Sequence, residues 1–182
     1  MPRRWIRIQK IQSTVRELLK RFDVQAPPIP IHRLARGCNA CIVQVAGRED
    51  DIDGFLYREG GEAVIGVNQD QAAVRQRFTI AHELGHLLLH EHSLVHVDRG
   101  FRVRLRNGAS REGTDKDEME ANRFAAELLM PTVFLRTDLE EWELDLADDR
   151  QLRALAKRYG VSTQALAIRL NTLGYSIETV GG

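Results

Sequence analysis

The chain has 182 residues, of which 43% are apolar and 29% are charged, and its formal net charge is zero. This length and composition predict one globular domain over residues 1–182, with a core that needs no disulfide, and exclude a disordered chain. The neutral balance gives no overall reason to expect a nucleic acid or an anionic membrane as partner, and no apolar run is long enough to cross a bilayer. The first ten residues carry charge without an apolar signal core behind them, so a cytoplasmic location is the default expectation.

Two helices are predicted at the start of the chain. Apolar residues share one face of the stretch 8–22, and its basic face favours a solvated surface over a nucleic-acid contact. The proline-rich segment 26–30 ends this helix. A short helix is expected at 31–36, with Gly37 as a left-handed cap.

Cys38 and Cys41 form a Cys-x-x-Cys pair. A structural zinc would need two further ligands, and the sequence has no second pair of this kind. A redox pair would be expected at the N-terminus of a helix, whereas this pair enters an apolar stretch. We therefore interpret it as two small residues at the start of a strand.

Three strands are predicted at 41–46, 54–58 and 63–67, with Gly60-Gly61 as the turn between the last two. The short links favour a small, mostly antiparallel sheet. The sheet leads through residues 68–72 into a helix, so one of its edges should lie beside that helix. We expect an extended peptide to bind along this edge through main-chain hydrogen bonds.

The helix predicted at 76–89 carries the clearest chemical signal. His82 and His86 are four residues apart, so they lie on one helical face, where both can bind one metal ion. His-Glu-x-x-His is the pattern of zinc hydrolases, in which the glutamate, here Glu83, acts on a water at the metal. A core helix that merely contains two histidines is less favoured, because buried imidazoles without partners are costly.

A zinc site of this kind needs a third protein ligand. A second helix, predicted at 117–130 and ended by Pro131, offers Glu118. Asn122 lies on the same face and could hydrogen-bond a ligand histidine. Glu120 is the alternative third ligand, and without the upstream histidines both carboxylates would be ordinary exposed groups.

The remaining elements are weaker predictions. Phe101, Val103 and Leu105 alternate with arginines, which predicts an edge strand whose basic face is either solvated or contacts an acidic or nucleic partner. Asn107-Gly108 indicates a turn, residues 139–149 an acidic surface, and residues 175–180 a short final strand.

Residues 150–174 predict a helix-turn-helix unit with Ser162 as N-cap. Gln164, Arg169 and Asn171 on its second helix could meet base edges. Two short packed helices more often complete a core, so DNA is possible as a partner and is not favoured.

Residues 77–90, which run from Arg77 to His90, resemble the first signature of the ImmA/IrrE family of zinc metallo-endopeptidases. Residues 118–131 resemble its second signature, and several positions between 155 and 174 are also similar. The resemblance implies an α+β, zincin-like fold, in which a small sheet packs on the His-Glu-x-x-His helix and on further helices. It also implies that two histidines and a downstream glutamate hold Zn2+ in the gluzincin manner, with Glu118, four residues before Asn122, as the third ligand.

Members of this family commonly cleave a helix-turn-helix repressor and so relieve repression of stress, DNA-damage, phage-defence or mobile-element genes. The expected function is therefore a zinc-dependent endopeptidase with Glu83 as general base. A second oxyanion donor is also expected, and its candidates are His90, His92, His96 and Tyr57. The alternatives are a regulatory module that binds a repressor or DNA without cutting it, and a plain helix-turn-helix DNA binder.

Overall fold

A four-stranded sheet and seven helices make up the part of the chain that the computed structural model describes, residues 6–46, 52–90, 95–98, 112–141 and 148–175. The helices are α1 (Ile8–Arg21), α2 (Ile31–Gly37), α3 (Ala73–Leu89), α4 (Glu112–Leu129), α5 (Thr132–Glu141), α6 (Asp149–Tyr159) and α7 (Thr163–Thr172); the strands are β1 (Ala40–Val45), β2 (Gly54–Glu59), β3 (Glu62–Asn68) and β4 (Val95–Asp98). The α+β class is confirmed. None of the described helices has the length and apolar character needed to span a membrane.

Four sequence predictions fall on residues outside the described part. They are the strand at 101–105, the turn at 107–108, the acidic stretch over residues 142–147 and the final strand from residue 176 onward. His92 is also outside it.

The sheet has the strand order β1-β3-β2-β4 and is mostly antiparallel, as predicted. Gly60 and Gly61 adopt positive φ angles of 59° and 87°, and they form the tight turn of the β2–β3 hairpin. β4 pairs antiparallel with β2. β1 does not follow the antiparallel pairing expected from the short links, because it pairs parallel with β3. The connection from β1 to β3 contains the whole of β2, so it is long enough for a parallel pairing.

Helix α3 lies between the sheet and α4, and it is the element on which the core is built. Ile80, Ala81 and Leu84 on α3 are fully buried. On one side α3 contacts β2 and β3, and on the other it contacts α4, which α1 covers in turn. Burying this much apolar surface on two sides of one helix fixes its position strongly.

Gly37 does not form the left-handed cap that we predicted. It lies inside α2, and the left-handed residue in this turn is Asn39, whose φ is 58°. The side chain of Phe22 explains the glycine, because a Cβ atom at residue 37 would stand 2.2 Å from its ring. The glycine therefore leaves room for the ring of Phe22 and does not serve a left-handed backbone angle.

Helices α6 and α7 follow one another across the short turn at residues 160–162. Gly160 ends α6 in the left-handed conformation, and Ser162 Oγ caps α7 by accepting a hydrogen bond from the Ala165 N–H at 3.1 Å. Arg158 and Tyr159 both bind the Asp138 carboxylate, which attaches α6 to α5.

The prediction that Arg169 could meet base edges is wrong. Its side chain is 1% exposed and forms a 2.5 Å ion pair with Glu127. It also donates hydrogen bonds to the Met130 carbonyl and to Thr132 Oγ1. Arg169 therefore attaches α7 to the junction of α4 and α5.

Candidate metal centre

His82 and His86 lie one turn apart in the middle of α3, where the helix is buried between the sheet and α4. Their side chains are 2% and 5% exposed. The i, i+4 spacing brings the two Nε2 atoms to 3.1 Å from one another. Both imidazoles therefore present the same ring nitrogen to one point in space.

Glu118 on α4 supplies the third donor. Its Oε2 lies 3.4 Å from His82 Nε2, and its Oε1 lies 3.4 Å from His86 Nε2. A tetrahedral zinc ion with ligand bonds of about 2.0–2.1 Å would separate its ligand atoms by about 3.3 Å. Two imidazole nitrogens and a carboxylate oxygen are also the donor types that zinc takes in hydrolases. These three residues could therefore hold a metal ion.

The close approach of α4 to α3 depends on Gly85, which lies between the two histidines. A Cβ atom at residue 85 would stand 2.9 Å from Phe124 Cδ1 and 3.2 Å from Ala121 Cα. The absence of a side chain lets the two helices approach until Glu118 reaches the imidazoles. Asn122 also reaches α3 from this helix, and its amide oxygen lies 3.1 Å from His82 Nδ1.

Glu83 and His96 complete the group. The Glu83 side chain is completely buried, and its Oε2 lies 3.1 Å from Nδ1 of His96 on β4. Nε2 of His96 lies 2.5 Å from Glu118 Oε1, and its ring stacks on that of His86 at 3.8 Å between centroids. His96 therefore bridges the carboxylate predicted to act as base and the carboxylate predicted to bind metal.

Among the candidates for a second oxyanion donor that the structure describes, His96 contacts Glu83. Tyr57 is 38% exposed, and its hydroxyl donates to Glu59. Strand β4, which carries His96, was not predicted. Its only signal is the alternation in Val95-His96-Val97, which is too short to indicate a strand on its own.

Burial and hydrogen bonding shift the pKa values of these groups in opposite directions. Burial lowers the pKa of His86 to about 3. Burial also opposes the charge of His96, but its hydrogen bonds to Glu118 and Glu83 outweigh that effect and raise its pKa to about 9. For Glu118, burial is outweighed by its close contacts with His82, His86 and His96, which lower the pKa of the carboxyl well below its usual range. Such perturbed groups are typical of functional sites.

The structure puts Glu120, our alternative third ligand, in a second cluster with His90 and Asp117. The Glu120 side chain is completely buried and receives hydrogen bonds from the backbone N–H and the guanidinium of Arg7. Burial alone would raise the pKa of Glu120, but the hydrogen bonds from Arg7 lower it to about 2. Sequence patterns could not indicate the Arg7–Glu120 contact, because 113 residues separate the partners.

A largely apolar cavity of about 710 Å³ opens beside His82 and Glu118. Helices α3, α4 and α7 form its walls, with Phe78, Met119 and Ile168 among the lining side chains. Ile168 and Met119 are 61% and 54% exposed, which is unusual for large apolar residues. An apolar cavity with a few polar groups at one end is the usual form of a ligand site.

Comparison with known proteins agrees with this geometry. The sequence profile of the family Peptidase_M78, described as the IrrE N-terminal-like domain, matches residues 41–171. No curated protein matches the chain. Among solved structures, a Mycobacterium tuberculosis transcriptional regulator superposes with a TM-score of 0.62 over 90% of this chain, at 16% identity, which shows a common fold. The chain spans 46% of the length of that regulator.

The family profile covers both helices that carry the metal-binding candidates, and it extends over well more than half of the chain. The resemblance of residues 77–90 and 118–131 to the ImmA/IrrE signatures is thereby confirmed, and the chain belongs to that family of peptidases.

Proposed function

We propose that the chain is a zinc-dependent endopeptidase that hydrolyses a peptide bond in a protein substrate. The observation that carries the proposal is the convergence of three donors, from His82, His86 and Glu118, beside the buried carboxylate of Glu83. In this proposal the three donors hold the ion, and Glu83 is the general base. The ImmA/IrrE membership supports a peptidase of this kind.

Each group in the cluster has a defined task in such a reaction. A bound zinc ion supplies a Lewis acid and lowers the pKa of a water molecule to about 7. Glu83 accepts the proton of the attacking water and returns it to the leaving amine. His96, held against Glu83 at 3.1 Å, orients that carboxylate. To stabilise a developing oxyanion as well, its Nε2 would have to leave Glu118.

The surroundings of the donors favour an extended polypeptide as substrate. β4 carries His96 and lies at the end of the strand order, so a peptide chain added to the sheet there would pass the donors. The apolar cavity beside His82 suits the apolar side chains of such a peptide.

We further propose that the natural substrate is a helix-turn-helix repressor, so that cleavage relieves repression. The ImmA/IrrE resemblance supports this choice, and the structural neighbour is itself named a transcriptional regulator. The competing function is a module that binds such a repressor, or DNA, without cutting it.

The variant Glu83→Gln distinguishes an endopeptidase from a module that only binds the repressor or DNA. The parent chain and the variant are each loaded with zinc and incubated with a purified helix-turn-helix repressor, and fragments are detected by mass spectrometry. We expect the parent to produce fragments and the variant to bind zinc equally but to cut at least about 100-fold more slowly, because general bases contribute about 10²–10⁴ in rate. Fragments that persist in a chelator, or an equally active variant, would refute the proposed chemistry, whereas binding without fragments from the parent would favour the module.

A further inference from the structure

A histidine that binds a metal through Nε2 must carry its proton on Nδ1, and a partner of Nδ1 usually enforces this state. For His82 that partner is the amide oxygen of Asn122, at 3.1 Å. For His86 the atom facing Nδ1 is Nδ1 of a third histidine, His90, at 3.2 Å. A neutral imidazole nitrogen either donates or accepts, so the direction of this hydrogen bond depends on what lies beyond His90.

Beyond His90 lies a carboxylate that can only accept. His90 Nε2 is 3.2 Å from Glu120 Oε2 and 3.4 Å from Asp117 Oδ1. Arg7 keeps Glu120 ionised. Nε of Arg7 lies 3.1 Å from Oε1 and 3.0 Å from Oε2 of Glu120, and its terminal nitrogen lies 2.5 Å from Oε2. His90 must therefore place its proton on Nε2 and donate it to Glu120.

The directions of the remaining hydrogen bonds follow from the position of the proton on His90 Nε2. With its proton on Nε2, His90 has a lone pair on Nδ1, and that atom accepts from Nδ1–H of His86. The Nε2 lone pair of His86 then faces the corresponding lone pair of His82 across 3.1 Å. Two lone pairs at this separation repel each other unless a cation lies between them.

We propose that Arg7, Glu120 and His90 are positioning residues, which together fix the tautomer and ring orientation of His86 for metal binding through Nε2. This inference rests on the proposed metal site. It gives the segment before α1 a function in the metal centre, although Arg7 lies outside the part of the chain that matches the family profile. Arg7 also donates to the Leu89 carbonyl at 3.2 Å, so it holds the end of α3 as well.

The same cluster could be interpreted as a second metal site, because His90, Asp117 and Glu120 offer three ligand types close together. The cations already present argue against this interpretation. Arg7 contacts both oxygens of Glu120, and Lys116 Nζ lies 3.4 Å from Oε1. A metal ion here would have to displace a guanidinium and approach an ammonium group.

The variant Glu120→Gln tests the direction of the hydrogen bonds that link His86, His90 and Glu120. The variant has one amide oxygen in place of two carboxylate oxygens, both of which contact Arg7, and Oε2 also faces His90 Nε2. The acceptor that fixes the proton of His90 on Nε2 is then weakened or replaced by an N–H donor, and His86 loses the partner that enforces its tautomer. We expect zinc affinity, measured by competition with a chelating dye, to fall about 10–100-fold, as is usual when the outer partner of a ligand is changed.

Two substitutions at residue 90 and one elsewhere complete the series. His90→Leu removes the acceptor and should weaken zinc binding to a similar extent, whereas His90→Gln retains an acceptor for His86 and a donor for Glu120 and should restore most of the affinity. Glu17→Gln, at an exposed carboxylate of α1, is the control and should bind zinc as the parent does. Equal affinity in Glu120→Gln and the parent would overturn the inference.

A spectroscopic measurement on the parent requires no substitution. In the metal-free chain, the ring ¹⁵N shifts of His86 should show a proton on Nδ1, and Glu120→Gln should change that pattern. A proton on Nε2 of His86 in the parent would overturn the inference. So would two zinc ions per chain, with one lost in His90→Leu, since the cluster would then be a second metal site. A parent that binds no zinc at all would instead overturn the proposed function, while the ¹⁵N shifts would still test the direction of the hydrogen bonds.

Discussion

At the scale of single residues, Glu118 has a special position among the proposed ligands. His82 and His86 are fixed relative to each other by one turn of helix, whereas Glu118 comes from a different element and contacts both Nε2 atoms. Its carboxylate closes the donor set only because α3 and α4 are packed correctly. Metal affinity is therefore a measure of helix packing as well as of ligand chemistry.

Replacing Glu118 by glutamine should weaken zinc binding by more than about 100-fold, because changing an outer partner alone costs about 10–100-fold. The amide oxygen is a poorer ligand than the ionised carboxylate, while the side chain keeps its volume. Competition with a chelating dye measures the change, and Glu17→Gln again serves as the control. An affinity within tenfold of the parent would show that the metal is held elsewhere.

At the scale of elements, the contact between α3 and α4 decides whether the donors meet. Gly85 allows this contact, and Phe124 and Ala121 occupy the space that a side chain at residue 85 would need. The pattern His-Glu-Leu-Gly-His thus contains two kinds of information. In the proposed enzyme the histidines and the glutamate would supply the chemistry, and the glycine sets the distance to the helix that carries Glu118.

Gly85→Ala should push α4 away from α3 by a few tenths of an ångström and destabilise the fold by about 1–3 kcal/mol, the usual effect of overpacking. Zinc affinity should fall about tenfold, because Glu118 moves away with its helix. Thermal unfolding and zinc titration measure the two effects. Adding Phe124→Leu should relieve the clash and recover the affinity, and a failure to recover would exclude helix separation as the cause.

The junction of α5 and α6 offers a test in alkaline solution. Tyr159 is completely buried, and burial, followed by its hydrogen bond to Asp138, raises the pKa of its hydroxyl above the usual value of about 10. The stabilisation that the neutral Tyr159 hydroxyl gives the folded state is present below a pH of about 10. It is lost as the pH rises above it, because the unfolded chain releases a proton that the folded chain retains.

Urea unfolding at pH 10 and at pH 11 should therefore show a loss of about 1 kcal/mol from this residue, because the unfolded tyrosine is half ionised at the first pH and nearly fully ionised at the second. Tyr159→Phe should remove that part of the slope, and at neutral pH it should cost about 1–3 kcal/mol through the lost hydrogen bond. Tyr175→Phe is the matched control. If the slope of Tyr159→Phe equals that of the parent, Tyr159 ionises in the folded chain as easily as in the unfolded one.

At the scale of the whole molecule, a metal bound by α3 and α4 would link two helices of the core. Any ligand that binds only the folded state stabilises it, by about 2.7 kcal/mol at a concentration of 100 times Kd. For a chain of this length, removing zinc with a chelator should lower Tm by about 5–10 °C. Glu118→Gln should show almost no response to the chelator, and an equal response in both proteins would mean that the chelator acts elsewhere.

How much of this molecule the sequence predicts depends on the distance between partners along the chain. His82, Glu83 and His86 are recognisable because a helix places them together by spacing alone. Glu118 was named through a second helix and the resemblance. The parallel pairing of β1 with β3 and the position of His96 were not predicted, because they depend on which distant segments meet. The contact of Arg7 with Glu120 likewise has no local signal.

The separation of the donors along the chain has a consequence for biosynthesis. Glu118 follows His86 by 32 residues, so at about 5–20 residues per second the ribosome adds it roughly 2–6 s later. During that interval the nascent chain has two imidazoles and lacks the carboxylate that completes their geometry. In the proposed enzyme, loading with metal would therefore follow the emergence of α4, at a time when most of the fold is available.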